Sequence, residues 1–232
     1  MRPRRHDAPV AVVLGRRGSG KTTLVKSRLD LFPRVLICDP NHEYEGRAPD
    51  GLSGLYQLAR SERKFRLVFR PPLGVAEAEE LEAVDCLAEI AYRTGNLLLV
   101  VEEADRYTKH GKDTLPYLRL LIDQGRHNEI GVVMVARRPS RLPKDVIENA
   151  SALYLFHIHE PHSQRYLAGI IGADVAQLAG LGAGDYLEWD ERRGVRRRRI
   201  ALGPPSSPSG RPSIAAPTGK ASSENRKIDQ KT

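Results

Sequence analysis

Short runs of β-branched and leucine side chains alternate along the chain with longer stretches whose apolar residues recur every three or four positions. Val10–Leu14, Val35–Cys38, Arg66–Phe69, Leu97–Val101, Val132–Ala136 and Ala152–Phe156 read as strands. Most are continuously apolar, as expected of strands covered on both faces. The clearest helical pattern is Glu77–Arg93, where Leu81, Val84, Leu87, Ala88 and Ala91 fall on one side and Glu79, Glu80, Glu82 and Glu89 elsewhere. Pro71, Pro72 and Gly74 stop the strand before it. Further helices are expected over Lys21–Leu31, Leu52–Arg60, Leu115–Gln124, Lys144–Asn149 and His162–Ile170, the last ended by Gly172. Asp185–Asp190 and Val195–Ala201, on either side of Glu191-Arg-Arg-Gly194, have the spacing of a terminal hairpin. The order predicts an α/β domain, a three-layer arrangement around a mainly parallel central sheet.

From Gly203 the pattern stops. Pro204, Pro205, Pro208, Pro212 and Pro217 lie among Ser, Gly, Ala and charged residues, so 203–232 is expected to be a disordered Pro/Ser-rich basic tail. With a basic arm over 1–9, this leaves 10–202 as one folded domain. Composition fits that division: of 232 residues, 40% are hydrophobic and 28% charged, which excludes a wholly disordered or fibrous chain. No apolar run approaches the ~20 residues a membrane-spanning helix needs, and the N-terminus lacks a signal-peptide core. Cys38 and Cys86 match neither a disulfide framework nor a zinc pattern, and His157, His159 and His162 have no Cys or carboxylate set to complete one. A reducing, cytoplasmic setting is the expectation. Charge adds the one unusual feature, a net +8 that points toward a polyanion.

Gly15-Arg-Arg-Gly-Ser-Gly-Lys-Thr22 satisfies G-x-x-x-x-G-K-[ST] between an apolar strand and a helical pattern, the context this phosphate-binding loop requires. Its glycines let successive amides face a phosphate, and the helix start adds its positive end. Gly15, Arg16, Arg17, Gly18, Ser19, Gly20, Lys21, Thr22 and Thr23 are thus the expected ATP-binding residues. Lys21 would reach the β- and γ-phosphates and Thr22 would offer its hydroxyl to Mg²⁺. Leu97-Leu-Leu-Val-Val-Glu-Glu-Ala-Asp105 supplies the acidic group such a site needs at the end of another strand. Glu102 is expected to face the metal and Glu103 to act as base toward water; the blander alternative is a pair of charges at a helix N-terminus.

Together with Asp39-Pro-Asn-His-Glu-Tyr44, Gly125-Arg-His127 and Ala136-Arg-Arg-Pro-Ser140, these motifs resemble the HerA/FtsK superfamily of P-loop ATPases, ring-forming motors that move double-stranded DNA, over about Val10 to Phe156. The resemblance implies a RecA/FtsK-like P-loop NTPase fold. It also implies that Arg126 acts as an arginine finger toward the neighbouring subunit of a homo-oligomeric ring, a hexamer or pentamer. A rigid guanidinium suits the charge that builds on a transferring phosphoryl group; the alternative is a surface residue in an ordinary ion pair. Two departures stand out. Glu102 replaces the usual aspartate, and Arg137 occupies the place of a polar sensor that is often glutamine. The chain has no room for the membrane, barrel or helical additions of the larger relatives. Its size therefore resembles that of the compact genome-packaging ATPases of tailless, membrane-containing double-stranded DNA viruses, which implies action in a host cytoplasm or in association with virions.

Arg192, Arg193, Arg196, Arg197, Arg198 and Arg199 place six arginines within eight positions, with 196 and 198 expected on one face of a strand and 197 and 199 on the other. They suit contact with the phosphates of duplex DNA; a charge-protected edge strand or a subunit contact would use them equally well. Aromatic residues make up 6% of the chain and do not interleave this run, which disfavours a single-strand stacking platform. The tail, with five cations against two carboxylates, fits either a tether to capsid or membrane proteins or a solubilising segment. Three alternatives stay open: a HerA-like DNA-processing or DNA-transfer ATPase, a non-hydrolysing ATP-binding module in morphogenesis, and a small-molecule kinase. The stretch 111–126 is short for the lid a kinase would need.

Overall fold

The computed structural model describes residues 10–72, 74–109 and 113–202; the basic arm and the Pro/Ser-rich tail lie outside the described residues. In chain order the elements are β1 (Val10–Leu14), α1 (Lys21–Lys26), β2 (Arg34–Cys38), α2 (Gly51–Ser61), β3 (Phe65–Phe69), α3 (Glu77–Thr94) and β4 (Leu97–Val101). A two-residue pair, β5 (Thr108–Lys109) and β6 (Asp113–Thr114), comes next. Then follow α4 (Pro116–Gln124), β7 (Ile130–Ala136), α5 (Lys144–Glu148), β8 (Ala152–Leu155), α6 (Pro161–Ile171), β9 (Asp185–Asp190) and β10 (Gly194–Arg199).

Eight strands form one sheet in the order β10-β9-β8-β1-β7-β4-β2-β3. The six from β8 to β3 are parallel, and the β9–β10 hairpin joins antiparallel on β8. All predicted strands are present, as is the mainly parallel sheet. The sheet has two unequal faces. Val12, Leu14, Leu36, Leu99, Val132 and Leu153 pack with α2 through α6, whereas Val13, Ile37, Val100 and Val135 meet the shorter α1 and Leu29. Leu14, Leu36, Leu99 and Leu121 are at most 1% exposed, and truncating such a side chain to alanine costs ~2–5 kcal/mol.

The helix expected over Lys21–Leu31 is shorter. It stops at Ser27, whose hydroxyl donates to the Leu24 carbonyl at 2.7 Å, and a separate 3₁₀ turn covers Leu29–Leu31 before Phe32-Pro33. A serine that bonds its own preceding turn, close to a proline, ends the helix although the apolar spacing continues. The 3₁₀ segment Gly172–Gly180 lies where no element was expected, because glycine and alanine leave no clear periodicity there. No helix among the described residues is long and apolar enough to cross a membrane.

Candidate nucleotide site at the carboxyl edge

Parallel strands deliver the residues that follow them to one edge of the sheet. After β1 comes the loop Gly15–Gly20, after β2 Asp39–Tyr44, after β4 Glu102–Arg106 and after β7 Arg137–Arg141. Strand β7 lies between β1 and β4, so Arg137 emerges between the glycine loop and the carboxylate pair.

The loop is fixed on several sides. The Gly15 amide donates to the Ala136 carbonyl at 3.3 Å, that of Arg16 to His157 at 3.1 Å, and that of Gly184 to the Ser19 carbonyl at 3.0 Å. Gly15 has φ +148°, and a Cβ there would sit 2.6 Å from Phe156 Cβ, so only glycine fits. Gly184 (φ +83°) is as restricted, its missing Cβ facing the Ile200 carbonyl oxygen at 2.6 Å. The amides of Gly18, Gly20, Lys21 and Thr22 have no backbone partner among the described residues, and the buried Ser19 hydroxyl also lacks one. Unpaired donors around a concave loop fit a polyphosphate. Lys21 bends back so that its Nζ donates to the Arg16 carbonyl at 3.1 Å, and burial pulls its pKa down against the raising effect of Glu102 and Glu103.

Glu102 is 4% exposed, its amide bonded to the Cys38 carbonyl at 3.1 Å. Burial pushes its carboxyl up to about 7, and Glu43 adds to the rise. Hydrogen bonds from the Tyr44 and Thr22 hydroxyls and the charge of Lys21 act the other way. The Tyr44 hydroxyl donates to Glu102 Oε1 at 2.6 Å. Tyr44 is itself placed by Asp39, which is fully buried and accepts the amides of Glu43 and Tyr44 at 2.9 Å each. A buried carboxylate beside a threonine hydroxyl is a donor set that fits Mg²⁺, which uses few protein ligands and completes its shell with phosphate and water. Glu103, in the left-handed region at φ +50°, turns the other way. Its Oε1 receives Arg137 Nη2 at 2.6 Å and Asn41 Nδ2 at 3.1 Å. Glu103 directly precedes a short 3₁₀ turn, Ala104–Arg106, and no α-helix starts at the pair.

The structure thus brings Lys21, Thr22, Glu102, Glu103 and Arg137 to one edge, along with Arg16, Arg17 and Thr23. It leaves Arg126 apart. That residue is exposed in the 3₁₀ turn Gly125–Asn128 ahead of β7 and makes no ion pair with a described residue. Seven residues of β7 separate it from Arg137, roughly 20 Å at ~3.3 Å per residue.

The arginine run is also apart and largely paired. Arg196 and Arg198 share Glu188, with Arg196 also 2.8 Å from Asp190, while Arg197 and Arg199 share Asp185. The expected alternation is visible in these partners. Arg192 and Arg193 stand exposed in the turn, without ion pairs among the described residues, on the same sheet edge as Arg126.

Asn41 and Tyr44 join the site without a motif of their own to mark them. Both lie in the Asp39–Tyr44 segment that carries the family resemblance, but their tasks follow only from β2 lying beside β4.

Among solved structures, the chain resembles the genome packaging NTPase B204 from Sulfolobus turreted icosahedral virus 2 in complex with ATP-gammaS. The TM-score is 0.67 at 20% identity, over 84% of this chain and 98% of that one. VirB4 of Thermoanaerobacter pseudethanolicus matches with a TM-score of 0.60 and 12% identity, over 84% and 89%. EssC (ATPases 2 and 3) from Geobacillus thermodenitrificans matches at 0.53 and 12%, over 85% of this chain and 40% of that one. These likenesses describe a shared P-loop NTPase fold, the one expected from the motifs. No curated protein sequence matches the chain. A sequence model of the AAA domain matches residues 4–141, more than half of the chain and the whole stretch from the glycine loop to Arg141, so the protein belongs to the AAA domain family.

Proposed function

We propose that the protein hydrolyses Mg·ATP to drive double-stranded DNA through a homo-oligomeric ring, packaging a viral genome into a capsid. The observation that carries this reading is the split between the two sheet edges. One holds the glycine loop with Lys21 and the two carboxylates; the other holds Arg126, too far away to serve its own subunit. A site whose own Arg137 is held by Glu103, in a chain that presents at its other edge an arginine without an ion pair among the described residues, supports completion by apposing copies. The fold shared with a genome packaging NTPase over nearly all of that protein's length supports the same reading.

In this mechanism the loop amides and the Ser19 hydroxyl take phosphate oxygens, and Lys21 exchanges the Arg16 carbonyl for the β- and γ-phosphates. Thr22 and Glu102 would hold Mg²⁺, whose charge would offset that of the phosphates. Glu103 leaves Arg137 to accept a proton from water. The water oxygen bonds to the γ-phosphorus as the bond to the β–γ bridging oxygen breaks, yielding ADP and orthophosphate. Arg137, released from Glu103, turns to the γ-phosphate, and Arg126 of one copy reaches the site of the next. The unpaired Arg192 and Arg193 contact duplex phosphates, assisted by Arg196–Arg199, and the tail contacts capsid or membrane proteins.

ATP turnover measured with and without duplex DNA, at two salt concentrations, tests the reading. DNA should stimulate phosphate release at low salt and lose its effect at high salt. The ion pair that occupies Glu103 favours a second reading, a non-hydrolysing nucleotide-binding module; nucleotide binding without phosphate release under every condition would establish it.

A further inference from the structure

Over the ends of β7, β4 and β2 the carboxyl edge opens into a cavity of about 300 Å³. Its wall holds four arginines against two carboxylates, Glu103 and Asp105, with Asn41 beside them. Two arginines are accounted for: Arg106 pairs with Glu80 at 2.8 Å, and Arg137 with Glu103. The other two, Arg138 and Arg141, are exposed and make neither an ion pair nor a side-chain hydrogen bond with any described residue. Their backbone is nevertheless well anchored. The Arg141 amide closes a turn onto the Arg138 carbonyl at 3.2 Å, and the Arg141 carbonyl accepts the Thr108 hydroxyl at 2.8 Å. The charge of Arg141 acts on Asp105, yet four guanidinium groups against two carboxylates leave the wall with a cationic excess that favours an anion in the cavity.

We propose that this cavity binds inorganic phosphate and is the station through which orthophosphate leaves after hydrolysis. The inference rests on the ATPase reading above, and the chemistry of the wall selects the ligand. Guanidinium forks match a tetrahedral oxyanion in bidentate fashion. The volume is at the lower end of the ~300–1,000 Å³ of small-molecule sites, room for one phosphate with its waters. Glu103 belongs both to this wall and to the nucleotide site, so phosphate cut from ATP has only to pass that carboxylate to reach Arg138 and Arg141. A duplex, whose phosphates are carried on a stiff cylinder, suits the protruding Arg192 and Arg193 better than a hollow shared with a carboxylate.

The test uses the full chain loaded with ADP and titrated with inorganic phosphate, followed by calorimetry and by ³¹P line broadening. The double change Arg138→Gln/Arg141→Gln should weaken phosphate binding at least tenfold, with ADP affinity kept within twofold. Arg138→Lys/Arg141→Lys, which keeps the charge and loses the fork, should fall between the two. Phosphate affinity equal in wild type and both variants overturns the proposal. So does a short duplex that competes with phosphate and binds the glutamine variant equally more weakly, since the cavity would then serve nucleic acid. A wild type that binds phosphate beside ADP but never releases phosphate from ATP removes the ATPase reading and leaves the anion site standing. Turnover without any phosphate binding removes the station alone.

Discussion

Arg137 Nη2 lies 2.6 Å from Glu103 Oε1, and Asn41 donates to the same oxygen at 3.1 Å. The carboxylate proposed as base is thus engaged, and the cation that engages it stands at the end of the strand next to the glycine loop. Arg137→Ala removes the restraint on Glu103 and, in the proposed mechanism, a donor for the γ-phosphate. A charge-assisted hydrogen bond contributes ~1.5–3 kcal/mol, so steady-state kcat should fall about ten- to hundredfold. A rise in kcat would show that Arg137 acts only as a latch.

Glu103→Gln keeps the shape and the contact with Asn41 but cannot take a proton. Nucleotide affinity should stay within a few-fold while turnover drops by ~10²–10⁴, the usual contribution of a positioned base. Equilibrium binding of a fluorescent ATP analogue beside a phosphate-release assay separates the two quantities. Near-wild-type turnover would remove Glu103 from the mechanism.

Tyr44 donates at 2.6 Å to the carboxylate expected to face Mg²⁺. Its hydrogen bond favours the ionised form of Glu102, so Tyr44→Phe should raise the carboxyl further above about 7. The acidic limb of the pH–kcat/KM profile should then move upward by about one unit, given ~1.4 kcal/mol per pKa unit. Rates at saturating Mg²⁺ and high pH should recover toward wild type. A uniform loss at every pH would mean that Tyr44 only packs.

The same carboxyl leaves a mark on stability. Glu102 ionises near 7 in the folded protein against an ordinary 4.5, so the native state holds a proton that the unfolded chain has lost. That contribution is complete below about 4.5 and disappears as pH rises through about 7, leaving an ionised buried carboxylate above it. The shift corresponds to at most about 3 kcal/mol. Without nucleotide, Glu102→Gln should therefore melt close to wild type at pH 4.5 and clearly higher at pH 8. Equal melting differences at both pH values would contradict the burial argument.

Much of this arrangement was legible in residue patterns, because an apolar run as short as Leu97–Val101, flanked by Gly95-Asn96 and Glu102, fits an inner strand better than a helix, and a glycine loop after a strand has few uses. What could not be read is lateral order. Nothing local in Ile130–Ala136 says that it inserts between β1 and β4, yet that insertion brings Arg137 onto Glu103 and leaves Arg126 on the opposite edge. The task of Tyr44 was hidden for the same reason, since it depends on β2 lying against β4. The arginine strand was half legible. Its alternation follows from strand geometry, whereas its pairing with Asp185, Glu188 and Asp190 depends on the register of the hairpin, which the residue pattern does not fix.

Those partners divide the six hairpin arginines unequally. Arg197 and Arg199 already lie near Asp185, and Arg196 and Arg198 near Glu188, so a DNA phosphate must compete for them; the Arg192 and Arg193 side chains have no ion pair among the described residues. Each phosphate neutralised contributes about −0.9 to the slope of log K against log salt for duplex DNA. Arg192→Gln/Arg193→Gln should therefore lower the magnitude of that slope by nearly 2. Arg197→Gln/Arg199→Gln, which also frees a carboxylate to repel the duplex, should weaken binding with a slope change of less than 1. Fluorescence anisotropy on one duplex across a range of salt concentrations measures both. Equal slope changes in the two variants would mean that the ion pairs with β9 do not restrain the strand arginines, and an unchanged slope in both would place the DNA path elsewhere on the protein.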